Sequence, residues 1–215
     1  MKLYSGPLSL FTAKVRVALD EKRLACELVS VPFSRAGGYQ PKHPNVLAIN
    51  LKGQVLVLVD GPVALYDSTI ILEYLEDRHP EPPLYPRDVA ERARCRQLEA
   101  AADEILFPLV FELISEVFYK AGDARDAQRI AGARAAIGAH YDGLEQRLGD
   151  RPWLCGEFSV ADIGYALTIT FAANLGAPLG EAHPRLQAWY GRVIARPSVT
   201  KELTGLAGAM ERATA

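Results

Sequence analysis

Three places in this 215-residue chain combine residue types and spacing that could do chemistry. The first is Ser9, which follows a Gly6-Pro7 turn and opens a stretch of helical spacing. A hydroxyl there can cap the helix, or donate to an anion held at the positive end of the helix dipole. The second is Asp67-Ser68, directly before Ile70, Ile71, Tyr74 and Leu75, whose spacing marks one face of another helix. Its first turn offers a carboxylate, a hydroxyl and free backbone N–H groups. That combination can hold a ligand carboxylate, or serve only as a helix cap. The third, Ser159-Val-Ala-Asp162, fits a capping box with Asp in place of Glu, and Phe158 and Ile163 are placed for the flanking hydrophobic staple. This box reads as a folding device, and loss of the Asp162 side chain is expected to cost about 1 kcal/mol or more.

Other chemistries lack their residues. No His/Asp partner lies near Ser9 in sequence and the local pattern is not Gly-x-Ser-x-Gly, which argues against a serine-hydrolase triad. Cys26, Cys95 and Cys155 are odd in number, far apart and form no Cys-x-x-Cys, which fits a reducing cytoplasm. His43, His79, His140 and His183 are scattered without ligand-like spacing, so no metal site is expected. An apolar fraction of 49%, 23% charged residues and a formal net charge of −2 are ordinary for a globular protein. With no Lys/Arg run, neither nucleic acid nor an anionic membrane is an expected partner. The N-terminus lacks the apolar core of a signal peptide, and no stretch reaches membrane-spanning length.

The elements that must position these residues follow from periodicity. Lys2–Ser5 is a short strand broken by Gly6-Pro7, and Phe11 to Lys22 has helical spacing with Val15, Ala18 and Leu19 on one face. Cys26 to Val31 reads as a second strand, and Lys42 to Ile49 as a short helix or irregular turn. Val55 to Val59 is an apolar run of strand length, Asp60-Gly61 signals a hairpin turn, and Val63 to Leu65 returns as its partner. Strand–helix–strand order implies a parallel pair joined by a right-handed crossover. The hairpin adds an antiparallel pair, giving a small mixed four-stranded α/β sheet.

The run His79-Pro-Glu-Pro-Pro-Leu-Tyr-Pro86 cannot sit inside a helix or central strand and reads as a linker. Beyond it, Leu98, Ala102, Ile105, Leu109, Leu113 and Val117 form the stripe of one long helix, with a kink predicted at Pro108. Ile130, Ile137, Tyr141, Leu144 and Leu148 mark a return helix closed by Gly149. Val160 to Leu175 is apolar nearly all round and should be buried. Leu186, Trp189, Tyr190 and Val193 mark a further helix, and Ser198–Arg212 one more. The expected organisation is an α/β domain over residues 1–79, a linker over 80–86 and an all-α domain over 87–215.

Taken in order, Ser9-Leu-Phe-Thr-Ala-Lys-Val-Arg16, Gly53-Gln-Val-x-Val-Leu58, Asp67-Ser68, the proline linker and Phe158-Ser-Val-Ala-Asp-Ile163 resemble a cytosolic glutathione transferase of the bacterial, serine type. His183-Pro-Arg-Leu-Gln-Ala-Trp-Tyr190 and Arg196-Pro197 are similar to that family's C-terminal end, so the resemblance covers essentially the whole chain. It implies a thioredoxin-like N-terminal domain that binds glutathione as co-substrate, and an all-α C-terminal domain that shapes the pocket for an apolar electrophile. By resemblance, Ser9 is the catalytic serine that hydrogen-bonds the glutathione sulfur. Asp67 and Ser68 hold the γ-glutamyl end, the Val55 backbone pairs with the cysteinyl residue, and Lys42 and Gln54 reach the glycyl carboxylate. Phe11, Phe107, Val110 and Phe111 either face the electrophile or pack in the core. The resemblance further implies a cytoplasmic homodimer with a role in detoxification.

The chain departs from the family at Leu51 and Leu56, which stand where the pattern Asn-Pro-x-Gly-x-Val-Pro has prolines, the second normally cis. The Val55–Leu56 bond is therefore either cis, or trans with an altered presentation of Val55 that would weaken glutathione binding. Ser5-Gly-Pro7, Ile70-Ile-Leu-Glu-Tyr-Leu75 and the Pro-Pro-Leu-x-Pro linker are also similar to stringent starvation protein A, a non-catalytic bacterial relative that contacts RNA polymerase. A protein-binding member on the same fold is the alternative reading.

Overall fold

The computed structural model describes residues 1–40 and 42–214. They form two compact units: Met1–Leu84 together with the last helix, and Tyr85–Arg196.

In the first unit β1 (Lys2–Ser5), α1 (Leu10–Glu21), β2 (Glu27–Ser30), α2 (Pro44–Ile49), β3 (Val57–Asp60), β4 (Val63–Tyr66) and α3 (Ser68–Arg78) follow in order. The sheet order is β2-β1-β3-β4, with β1 parallel to β2 and β3 antiparallel to both its neighbours. This is the mixed four-stranded sheet that the alternating signals imply. Tyr4 opposite Val57 joins Val31 and Val46 in a buried cluster on one face, with Tyr39, Val55 and Tyr66 packed against it. Leu3 pairs with Leu58, both buried, and by alternation they serve the opposite face. In the hairpin Asp60 pairs with Val63, so the two-residue loop is Gly61-Pro62, one residue later than the turn signal suggests. Gly61 supplies its positive φ of 58°.

The last helix, α9 (Pro197–Thr214), packs on α1. Arg16 grips Glu202 with two prongs, Nε to Oε2 at 2.9 Å and a second pair through NH2 and Oε1. Contacts thus group α9 with the α/β unit, whereas the sequence reading placed it within 87–215. Periodicity identifies a helix but not the surface it covers. The Pro-rich segment is held by a buried ion pair. Lys22 Nζ lies 2.7 Å from Glu76 Oε2 and also donates to the carbonyls of His79 (2.7 Å) and Pro82 (2.9 Å). Glu76 in turn accepts the Leu84 N–H at 3.0 Å. These partners satisfy charges that burial would otherwise penalise heavily.

The second unit is helical: α4 (Val89–Ala101), α5 (Phe107–Leu113), α6 (Ala127–Leu148), α7 (Val160–Asn174) and α8 (Pro184–Ile194). Between α4 and α5 the chain makes a π-helical turn over Ala102–Leu106, where the Phe107 N–H reaches back to the Ala102 carbonyl. Pro108 has no N–H to give, and a widened turn ahead of it accommodates the ring. The wide turn also shifts the helix face by one residue. The buried stripe is Leu98, Ala102, Leu106, Val110 and Leu113, whereas Ile105 is 56% exposed. The expected stripe through Ile105 and Leu109 is therefore corrected, because it assumed an uninterrupted α-helical period.

Helix α7 is buried on nearly all sides, as its composition requires. At its start Asp162, fully buried, accepts four hydrogen bonds. Leu154 N (2.9 Å) and Trp189 Nε1 (2.7 Å) donate to Oδ1, and Ser159 N and Oγ (both 2.9 Å) donate to Oδ2. Burial pushes this carboxyl above the usual carboxylate range, and the four donors pull it back. Among the described residues no helix is long and apolar enough to cross a membrane.

Candidate ligand-binding site

The sheet register gathers most of the candidate residues at one end. Tyr4 lies opposite Val57 on antiparallel β3, and Val57 lies opposite Tyr66 on antiparallel β4. The segment leaving β1 toward Ser9, the segment leading into β3 (53–56) and the Asp67-Ser68 step leaving β4 therefore share one end of the sheet. The connection that carries Tyr39 and Lys42 starts there too, since Val31 N, just past β2, donates to Ser5 O at 2.9 Å.

Ser9 is the N-cap of α1, in extended backbone (φ −89°, ψ 113°) and 9% exposed. Its Oγ accepts the Thr12 N–H at 3.2 Å. The oxygen is thus engaged while its own proton is left to donate outward, at a helix start whose first turn carries no acidic residue. The loop ahead of it is fixed by Gly6 N to Thr12 Oγ1 (3.4 Å) and by Leu8 N to Tyr39 Oη (3.0 Å). Gly6 has no room for a side chain, because a β-carbon there would lie 2.7 Å from the Tyr39 ring and hydroxyl.

Asp67 has φ 78° and ψ 126°, a conformation rare for any residue with a side chain. It caps α3 through Oδ1, which accepts the Thr69 N–H at 3.1 Å, and its Oδ2 lies 3.6 Å from Lys52 Nζ. Ser68 is only 4% exposed. Among the described residues neither its amide nor its hydroxyl has a hydrogen-bond partner. Two donors thus stand unused at the positive end of α3.

The Val55–Leu56 bond is cis, the first of the two alternatives that the sequence left open. The Val55 side chain packs into the cluster around Tyr4 while the β3 ladder begins only at Val57. Among the described residues the Val55 backbone therefore has no strand partner. The loop before it is clamped by Asn50, a residue the sequence reading did not select. Asn50 Oδ1 accepts Lys52 N–H (2.9 Å), its Nδ2 donates to Gln54 O (2.6 Å), and its carbonyl accepts Gly53 N–H (2.7 Å). The signal was present, since Asn50 opens the Asn-x-x-Gly pattern. The Gln54 side chain is exposed.

Lys42 comes to this loop from the other side: a β-carbon on Gly53 would lie 2.9 Å from Lys42 Nζ. Gly53 also has φ +59°. Gly53→Ala is therefore expected to cost about 1 kcal/mol in urea unfolding, and to weaken binding of an anionic ligand about fivefold by displacing the Lys42 ammonium. Unchanged unfolding and affinity would remove Lys42 from the site.

The apolar candidates divide. Phe11 is half-buried in α1, with Lys14 Nζ 5.7 Å from its ring centroid. In the helical unit the Phe107 and Phe111 rings lie 6.0 Å apart, and Phe111 is 51% exposed. Val110 has no exposed surface and packs in that unit's core.

The chain matches the family described as glutathione S-transferase, N-terminal domain, over residues 3–83, and glutathione S-transferase, C-terminal domain, over residues 127–192. It is 30% identical over 214 residues to glutathione S-transferase 3 of Zea mays, covering 96% of this chain and 94% of the relative. A stringent starvation protein A homolog of Coxiella burnetii is 36% identical over 100 residues, 46% of this chain and 44% of that protein. Among solved structures, the theta-class glutathione S-transferase of Xanthomonas axonopodis pv. citri with glutathione bound superposes with a TM-score of 0.80 at 26% identity, over 94% of this chain and 95% of that one. Matched in both halves and along nearly its whole length, this chain belongs to the glutathione S-transferase family.

Proposed function

We propose that this protein binds glutathione at the end of its sheet and activates the thiol for attack on an apolar electrophile, displacing halide or opening an epoxide. The observation that carries the reading is the Ser9 cap: an oxygen already engaged by Thr12 N–H and a proton free to donate. Ser68, with an unused amide and hydroxyl, takes the γ-glutamyl carboxylate, and Asp67 stands beside it at the γ-glutamyl end. The Val55 backbone pairs with the cysteinyl residue, and Lys42 with Gln54 takes the glycyl carboxylate. The Xanthomonas relative, whose structure holds glutathione, supports this choice of ligand.

The chemistry follows from charge. A thiol of pKa about 8.5 is only about 3% ionised at neutral pH. Lowering that value by about two units requires about 2.7 kcal/mol of preferential stabilisation of the thiolate. One hydroxyl donor together with a helix N-terminus supplies an amount of that order. Ser9 then serves as donor to the nucleophile: the thiol proton leaves to solvent, the sulfur forms the new bond to carbon, and the leaving group departs with its electron pair. Phe11, on the helix that Ser9 caps, contributes apolar surface for the electrophile, and the working form is a cytoplasmic homodimer. Spectroscopic pH titration of the thiol in the glutathione complex tests this reading. Half-ionisation about two units below the free value supports it, and an unshifted thiol contradicts it. The likeness to the Coxiella protein favours a second reading, a protein-binding member with no glutathione affinity.

A further inference from the structure

Lys52 stands beside the carboxylate that would receive the ligand's ammonium. Its Nζ lies 3.6 Å from Asp67 Oδ2, and both side chains are open to solvent, 62% and 40% exposed. The backbone from which the lysine reaches Asp67 is fixed on both sides. The Lys52 amide is held by Asn50 Oδ1 at 2.9 Å, and Asn50 itself is buried. On the other side, the positive φ of Asp67 and its Oδ1 bond to Thr69 N–H leave Oδ2 facing the lysine. Next in the chain to Asp67, Ser68 keeps two donors that have no partner among the described residues. Lys42, against Gly53, adds a second positive charge to the same loop. The loop thus carries the ammonium groups of Lys42 and Lys52, and the Asp67 carboxylate already has a cation beside it.

We infer that Lys52 occupies the place of the ligand's α-ammonium, so that the site selects a thiol by its carboxylates and is nearly indifferent to its free amino group. The inference rests on the reading of this site as a glutathione site. A ligand ammonium that approaches Asp67 meets a like charge within a few ångströms and must share or displace it, which cancels most of what the ion pair would contribute. A ligand that lacks the ammonium loses nothing at Asp67 and still gains from Lys52 near its carboxylate. The acceptable ligands are therefore thiols of this size with two carboxylates, with or without the amino group, including γ-glutamyl thiols blocked at nitrogen by a small acyl group.

The experiment compares glutathione with its deamino analogue, glutaryl-cysteinyl-glycine, by calorimetry on the full chain and on Lys52→Met and Lys52→Arg. Wild type is expected to bind the two within about threefold of each other. Lys52→Met is expected to shift the ratio about fivefold or more toward glutathione, tightening glutathione and weakening the analogue, while Lys52→Arg keeps the wild-type ratio. A wild type that prefers glutathione more than about twentyfold, with a ratio unmoved by Lys52→Met, overturns the inference and leaves the glutathione reading standing. Binding of neither ligand by a folded wild type overturns both.

Discussion

Ser9→Ala is expected to lower kcat/KM at neutral pH by about three- to twenty-fivefold, with the loss confined to the acid side of the profile. Removing one hydroxyl donor from a thiolate forfeits about 1.5–3 kcal/mol, which corresponds to one to two pKa units. A bound thiol half-ionised near pH 6.5 would then titrate between about 7.5 and 8.5, and its ionised fraction at pH 7 would fall from about three quarters to between a quarter and 3%. Above about pH 9 the thiol ionises without help, so the variant approaches wild type there. That shape separates the proposed role from a merely structural one. Loss of the α1 cap alone would cost about 1 kcal/mol of stability and depress activity equally at all pH values. A pH-independent loss, or none, contradicts the assignment of Ser9.

The largest stability effect is expected at Asp162. Asp162→Ala leaves four buried donors, Leu154 N, Ser159 N, Ser159 Oγ and Trp189 Nε1, without their acceptor. Breaking such a network costs about 3–5 kcal/mol, a large part of the 5–15 kcal/mol by which a typical domain is stable. Asp162→Asn keeps one acceptor oxygen but turns an NH2 group toward two donors, and should fall about midway. Urea unfolding of both variants, read by tryptophan fluorescence, checks this. Losses under about 1 kcal/mol would mean that water replaces the carboxylate.

The same residue illustrates what was legible in the sequence. Ser159-Val-Ala-Asp162 announces a capping box, because both partners lie within one helical turn and their spacing fixes the geometry. The other two donors come from Leu154 and Trp189, one upstream and one 27 residues downstream, and no local pattern links them. The expectation of about 1 kcal/mol counted only the local half of the network. The strand order was readable for the opposite reason: crossover handedness and a two-residue hairpin leave few ways to arrange four short strands. Where the reading of α4–α5 slipped, from Ile105 to Leu106, one π turn ahead of Pro108 changed the period on which it depended.

At the candidate site, Ser9 and Asp67-Ser68 were visible as helix starts after turns, since capping residues are restricted in type. Asn50 and Lys52 were not selected, because their roles come from the fold of a loop. One buried amide side chain spans residues 52 to 54, and a lysine is carried to Asp67 on another strand connection. Lys22 and Glu76 were likewise invisible as a pair, being far apart in sequence and unremarkable in type until α1 and α3 pack.

Everything proposed for this site requires glutathione to bind at the unused donors of Ser68. Calorimetric titration of the full chain with glutathione at neutral pH, beside Ser68→Ala, tests it most directly. Wild type is expected to bind with submillimolar affinity and the variant to lose about tenfold or more, the worth of one hydrogen bond to a charged carboxylate. No binding by the folded wild type, or equal binding by both proteins, would contradict it.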